Sequence, residues 1–477
     1  MEESAMAESK LDDALAAACG DMWMNSRILS DVTYLCDEFG NRFAGSGSEW
    51  RARGFILDKL KEYGLTNIQA EPCKYTAWKR GTCSLELVAP RKRHLTAVSM
   101  VHAPGTPPDG LDAEVISVGQ GTQAEFDKLG GAVKGKIAMC TLGSPVGIPP
   151  LHRVGKYGRA KAAGAIAVIF PTEEPMQLIG TGTVAAAYRE IGTIPAVGIS
   201  HETWRYLLRQ QEIGPLRVRM NVINTFAPNT ETWNLYGDIP GDGSTDEYIL
   251  IGGHWDGHEL ADAALDNALG LFTALDTARA MTKQLKGKLK RTLRFVALGN
   301  EESWCVGSTN YVDQHAGDLG QLAMMINVDA LSRYSNPQLR LGKRPDVADF
   351  CRKLISDHKL PIPMMPSDWL PGSSDDWPFL VTGVPAVTLT GLDRGAAAAA
   401  LGRGIDHTHA DTVDKIDDTR ARVSAMTLAQ FLVRLANAPG RPEKLERAEM
   451  FKRLEAAGHK KELSDQGRWH PESVLGR

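Results

Sequence analysis

Apolar positions change their spacing several times along the chain, and those changes divide it. Leu29, Val32, Leu35 and Cys36 recur at helical spacing, and Trp50 to Tyr63 repeats the pattern before Gly64, a residue suited to a helix C-terminus. The Gly/Ser-rich stretch Arg42–Ser48 between them predicts a bend. Over 66–101 the period shortens to β-type runs such as Cys83–Val88. Residues 102–226 read as a separate unit: a strand ending at Cys140, a helix over His152–Ala163, and strands at Ala165–Phe170 and Ile194–Ile199. From about residue 233 strand and helix alternate. Strands are expected at Tyr248–Gly253, Leu293–Leu298, Ala323–Val328 and Val384–Leu389, with an amphipathic helix over Asn267–Met281. Such alternation predicts an α/β fold: a mixed, mostly parallel sheet with helices on both faces, plus an inserted small β-rich domain. The expected division is 1–101 (N-terminal part of the main domain), 102–226 (insertion), 227–438 (core) and 439–477 (a tail with a charged helix over Glu443–Ala457). The tail's mixed charges read as a solvated face.

Composition narrows the function classes. With 477 residues, 43% hydrophobic and 23% charged, the chain is of ordinary globular make-up, and length suggests two to four domains. A net charge of −4 provides no general field for nucleic acid, and no basic patch interleaves with aromatics. The compact apolar run Ala165–Phe170 is far too short to span a bilayer, and the acidic start MEESAMAESKLDD is unlike a secretory leader. Seven cysteines form no Cys-x-x-Cys pair; Cys73 and Cys83 could pair across a hairpin if the protein were exported. A soluble, cytoplasmic protein is expected, with no nucleic-acid or membrane partner.

Position makes the polar residues informative. One strand runs directly into His254-Trp-Asp256-Gly-His258, the next into Glu301-Glu302; the third closes on Asn327-Val-Asp329, and the fourth leads to Asp406-His407-Thr-His409-Ala-Asp411. Asp266 precedes the helix that returns from the first of these. Singly, each has an ordinary explanation: a hydrogen-bonded loop histidine, a solvated acid pair, a helix cap at Asp329 or Asp266. Jointly they do not, because open α/β sheets bind ligands beyond the carboxyl ends of their strands. Crowded carboxylates resist ionisation unless cations accompany them, and histidine with Asp/Glu is a donor set for zinc-like divalent ions. His258 reads as a loop residue or, second to that, a substrate contact. His152 and His201, alone in the middle unit, read as surface or packing residues.

These stretches resemble the co-catalytic di-zinc exopeptidase family of the aminopeptidase Y and carboxypeptidase Q type. The matching motifs are His254-Trp-Asp256, Asp266-Asn267, Glu301-Glu302, Asn327-Val-Asp329 and His407-Thr-His-Ala-Asp-Thr412, with a similar Ser374-Asp375-Asp376-Trp-Pro-Phe379 segment. Asn41–Gly47 is similar to the family's entry motif, and the middle unit looks like a protease-associated domain. The resemblance implies a zinc exopeptidase-like fold and two divalent metal ions, expected to be Zn2+, one on His254, Asp266 and Asp329, the other on Asp266, Glu302 and His407. It further implies Glu301 as general base and Asp256 as the residue orienting His254. His407 is preferred to His409 because only it opens the His-Thr-x-x-Asp-Thr spacing. Two departures stand out: Asn267 for the commoner second Asp, and Asp376 where many members have His.

The implied activity is zinc-dependent hydrolysis of the terminal bond of short peptides through a metal-bridged water. A non-catalytic binding protein on the same scaffold, or a di-metal hydrolase of a non-peptide amide, are the alternatives. Homo-oligomerisation is left open, and so is the end attacked; Arg333, Arg394 or Arg403 could meet a substrate carboxylate.

Overall fold

The computed structural model describes residues 2–143, 151–184, 191–331, 336–342, 344–365, 374–391 and 404–473. Its strands, in chain order, are β1 Thr66–Ala89, β2 Arg93–Leu95, β3 Ala97–Ser99, β4 Leu111–Gly119, β5 Ile137–Cys140, β6 Ala167–Pro171, β7 Ala196–Ile199, β8 Arg217–Ile239, β9 Tyr248–His254, β10 Thr292–Leu298, β11 Leu322–Val328, β12 Gln338–Leu341 and β13 Ala386–Thr390. The order β12-β13-β11-β9-β10-β8 builds the sheet of the C-terminal unit. Its four inner strands are parallel, and β12 and β8 run antiparallel at either side.

Every residue of β9 and β11 is buried, as expected of parallel strands covered on both faces. Alternate residues serve two cores. Ile249, Ile251, Phe295, Ile326 and Val387 face the helices Leu269–Leu285 and Asp418–Asn437 together with the N-terminal helices. Tyr248, Leu250, Val296, Leu298 and Met325 pack on the other face against Tyr311, Val312 and Phe379. Each such fully buried side chain contributes about 1.5–3 kcal/mol by leaving water. Helices on both faces of a mixed sheet are thus observed. The antiparallel edge strand β12 had no signal in the sequence, being only four residues long.

The region 66–101 departs from the sequence reading. Instead of short runs, β1 is one strand of 24 residues that pairs antiparallel with the 23-residue β8 along nearly its whole length. Register shifts between Thr66/Gln69, Tyr75/Ala77, Arg80/Cys83 and Leu87/Ala89 break its alternation, which is why the pattern looked fragmentary. Cys73 and Cys83 lie ten residues apart on this one strand, roughly 30 Å at the usual rise. They cannot pair across a hairpin, and both are free thiols.

The ribbon carries the middle unit. At its far end β8 also pairs with β4, and the sheet continues β4-β5-β6-β7-β3. Strands β4 to β7 are parallel, with the helices Gln123–Leu129, Arg153–Ala162 and His201–Gln211 interspersed. The tail also differs from expectation: helix Arg447–Ala456 buries Met450, Phe451 and Leu454 against Trp377, Leu380 and Val381. Among the described residues no helix is long and apolar enough to cross a membrane.

Candidate metal centre

Four strand ends converge. His254 is the last residue of β9, Asp329 follows β11 directly, and Glu301 and Glu302 lie just beyond β10. His407 arrives on the loop after β13. β9 approaches β11 closely at this point because Gly253 has no side chain; a Cβ there would meet Val328 O at 2.3 Å. The side chain of Asn267 occupies that space and donates to Val328 O (2.9 Å). An aspartate could not make this bond, so the departure at position 267 has a structural use. Asp266 sits in a wide turn, Ala264–Ala268, ahead of the helix that begins at Leu269.

Three anchors fix these loops. Arg42, fully buried, donates from its guanidinium to the carbonyls of Trp255 (2.9 Å), Gly40 (2.9 Å), Asp262 (2.7 Å) and Ala263 (2.9 Å), holding the segment between His254 and Asp266. Asp411 accepts the backbone N–H groups of Leu265 (2.7 Å) and Asp266 (3.1 Å). Asp256 accepts those of Glu301 (2.9 Å) and Glu302 (3.2 Å), while its Oδ1 lies 3.4 Å from His254 Nδ1. Ala263, Asn300 and His407 adopt left-handed φ values of 52°, 58° and 60°. For residues with a Cβ such conformations are costly and cluster where function requires them.

The side chains form a connected series. His254 Nε2 lies 3.2 Å from Asp266 Oδ1 and 3.6 Å from Asp329 Oδ1. The second oxygen of Asp266 lies 2.9 Å from His407 Nε2, which is 3.3 Å from Glu302 Oε2. Two groups result whose donor atoms lie within 4.8 Å of one another and could hold an ion: His254, Asp266 and Asp329, and His258, Glu302 and His407. The predicted residues His254, Asp256, Asp266, Glu302, Asp329 and His407 therefore meet, with Glu301 alongside. His258, read as a loop residue, instead joins the second group; its spacing of four from His254 is one that zinc ligands use, but it lies in a loop, and only the fold-back onto Glu302 shows which group it joins. His409 is exposed and stands apart from the groups. A shallow, open recess lies here, lined by Ala261, Ala263, Thr408 and Asp411 together with His258, Asp266, Glu302 and His407.

The electrostatics suit cations. Burial alone would disfavour a charged His254, but Asp256, Asp266 and Asp329 outweigh it and hold its pKa well above the ordinary value. Burial likewise opposes ionisation of Asp266, yet His254 and His407 keep its pKa well below the usual range. The clustered carboxylates thus favour positive charge among them, which a divalent ion bound by nitrogen and oxygen donors would supply. Asp329 Oδ1 is buried and accepts no hydrogen bond among the described residues, as a coordinating oxygen would. Glu301 differs: burial, reinforced by Glu302, Asp375 and Asp329, raises its pKa well above the carboxylate range. The Cys305 thiol lies 3.7 Å from Glu301 Oε1.

Outer groups complete the site. Ser374 donates to Asp329 Oδ2 (2.5 Å) and accepts from Asn327 Nδ2 (2.7 Å); Asp375 accepts from Ser308. Asp376 is buried, with Arg340 at 3.8 Å. The tail contributes Arg468, buried over the rings of Trp377 (3.9 Å) and Trp304 (5.0 Å), its pKa lowered to about 10 by burial. From the middle unit Thr181 N–H donates to His407 O (2.9 Å), and Glu174 accepts from Gly404 N–H (2.8 Å). His152 caps the helix Arg153–Ala162 and packs edge-on against Trp304. Arg333, Arg394, Arg403 and the run Ala396–Ala400 lie outside the described residues.

Comparison with known proteins agrees with this geometry. Residues 234–432 match Peptidase family M28, and residues 96–207 match the PA domain. Carboxypeptidase Q of Xenopus laevis is 28% identical over 311 residues, 64% of this chain and 65% of that protein, so the chain spans just under two thirds of the length of that relative. Leucine aminopeptidase 2 of Arthroderma otae is 27% identical over 460 residues, covering 89% of this chain and 86% of the relative. A peptidase M28 precursor from Shewanella amazonensis has a similar structure, with a TM-score of 0.76 at 20% identity over 92% of this chain and 99% of that one. The zinc aminopeptidase BSAP of Bacillus subtilis gives 0.66 at 20% identity over 88% and 97%. At such identities the structural likeness is one of fold. One match lies on the C-terminal sheet that bears the donor groups and the other on the unit carried by the ribbon, so residues 234–432 form a peptidase family M28 unit and residues 96–207 a PA domain set into the chain ahead of it.

Proposed function

We propose that the chain is a metal-dependent exopeptidase that hydrolyses the terminal peptide bond of short peptides. In this reading His254, Asp266 and Asp329 hold one divalent ion, taken as zinc, and Asp266, Glu302 and His407 hold a second. Glu301 is the general base, and Asp256 orients His254. Residues 1–101 and 227–438 make the catalytic unit, 102–226 the inserted one and 439–477 the tail.

The observation that carries the reading is Asp266, whose two oxygens lie 3.2 Å from His254 and 2.9 Å from His407. A carboxylate facing an imidazole on either side is what a ligand shared by two ions requires. Two ions held there by His254, Asp266, Asp329, Glu302 and His407 would supply Lewis acidity, lowering the pKa of a water and polarising the scissile carbonyl. The remaining work falls to the chain. Glu301, its proton affinity raised by burial, is suited to take a proton from the attacking water and return it to the leaving amine. Glu302 cannot share that task while its oxygens are committed as ligands, which gives two adjacent acids separate duties. Asp256 binds both of their backbone amides and also faces His254, so it keeps base and ligand in register.

Carboxypeptidase and aminopeptidase names both stand among the relatives, so the proposal extends to exopeptidase activity at either terminus. The test is cleavage of aminoacyl and dipeptide substrates by the full chain, abolished by chelator and restored by zinc. Glu301→Gln should retain wild-type metal content while losing roughly two to four orders of magnitude in kcat. A near-wild-type rate would remove Glu301 from the base role.

A further inference from the structure

We infer that His258 is a ligand of the second ion, giving that site two imidazoles where the family resemblance supplies one. The inference rests on the two-ion reading above. His258 Nε2 lies 2.8 Å from Glu302 Oε2, the same oxygen that His407 Nε2 reaches at 3.3 Å. The two rings meet edge-on with centroids 4.1 Å apart, and Phe43 stacks on His258 with its centroid at 6.1 Å. The ring is thus held in place at 4% exposure. Two imidazole nitrogens aimed at one carboxylate oxygen are the arrangement of three donors around one ion.

The far side of the ring supports this. His258 Nδ1 lies 3.9 Å from Glu259 Oε2, which is buried and makes no hydrogen bond among the described residues. The other oxygen of Glu259 is held by an ion pair with Arg80 Nε, and Arg80 in turn donates to Thr181 Oγ1 (3.0 Å) in the inserted unit. Ligand imidazoles commonly present their second nitrogen to a carboxylate that fixes ring orientation and raises basicity. Arg80, Glu259 and His258 supply that series, although β1 lies far from β9 in sequence.

The two sites then differ in donors. The first has one imidazole, Asp329 and a share of Asp266; the second has two imidazoles, Glu302 and the remaining share. More nitrogen donors favour zinc or cobalt over harder ions such as manganese. The second site should therefore discriminate more strongly among divalent ions than the first.

Calorimetric titration of the metal-depleted full chain with Zn2+, and with Co2+ read by its visible absorption, tests the assignment. Wild type should take two ions per chain. His258→Phe, which keeps a ring beside Phe43, should bind the first with unchanged affinity and the second roughly a hundredfold or more weakly, with an altered cobalt spectrum. Glu259→Gln leaves the ring in place and should weaken the second ion about tenfold. If His258→Phe does not fold, as read by circular dichroism, the Glu259→Gln titration decides. Two ions bound by a folded His258→Phe with wild-type affinities would overturn the assignment. Fewer than two ions in the wild type would instead defeat the two-ion reading on which it rests.

Discussion

Replacement of Arg42 by alanine probes how the centre is held together. The guanidinium is fully buried and makes four hydrogen bonds to backbone carbonyls, three of them in the segment 255–263 that joins His254 to Asp266. At about 1.5 kcal/mol for each bond from a charged donor, the sum is ~6 kcal/mol. Part is recovered, because Ala263 O retains the N–H of Ala268 (3.3 Å), Asp262 O retains the Cys36 thiol (3.5 Å), and water enters the vacated space. A net loss of about 3–5 kcal/mol is expected, large against a typical total of about 5–15 kcal/mol. Arg42→Lys should restore about half, since one ammonium cannot copy the planar fork that reaches four acceptors. Thermal unfolding with saturating zinc and with chelator measures the loss. The variant should also bind zinc more weakly, because the bonds broken fix the spacing of His254 and Asp266, the proposed ligands. An alanine variant within about 1 kcal/mol of wild type, or a lysine variant as stable as arginine, would refute the reasoning.

Asp411→Asn leaves one oxygen for two backbone donors and turns an amide N–H₂ towards one of them; a loss of about 1–3 kcal/mol and weaker zinc binding are expected, and an unchanged zinc titration would count against the anchoring role. A pH effect is expected from His315, which lies 3.1 Å from Glu71. Burial opposes both charges, but each partner outweighs it, so the His315 pKa is raised above 6.5 and the Glu71 pKa lowered below 4.5. The histidine contribution is complete below pH 6.5 and lost as pH rises through its raised value; that of Glu71 is present above 4.5 and lost as pH falls through its lowered value. The melting temperature of wild type should therefore exceed that of His315→Gln most between these limits and converge with it at high pH; parallel profiles would exclude the pair.

The centre was legible because parallel strands buried on both faces are near-continuous apolar runs, so the first polar residue after each run marks the functional edge. His254, Glu301, Glu302 and Asp329 all sit at such a break. His258 was hidden because only the fold-back of its loop onto Glu302 reveals its use. The β1–β8 ribbon was obscured by four bulges and by polar residues along its two sides. Arg42 looked like part of a flexible Gly/Ser bend, since backbone carbonyls as partners leave no trace in sequence. The tail misled for a simpler cause: three apolar residues, Met450, Phe451 and Leu454, are enough to seat a helix whose other positions are charged.

The continuous ribbon bears on how this architecture could arise or be dismantled. Ala77 pairs with Ala227 midway along it, so a short turn joining those neighbours would excise the PA domain as a cassette and leave the sheet that bears the donor groups with an ordinary hairpin at its margin. The excision would not be silent. It would also remove Thr181 and Glu174, and with them the brace on the loop that presents His407. A domain that is topologically dispensable thus steadies one side of the chemistry, and a trimmed descendant would have to replace that support from elsewhere.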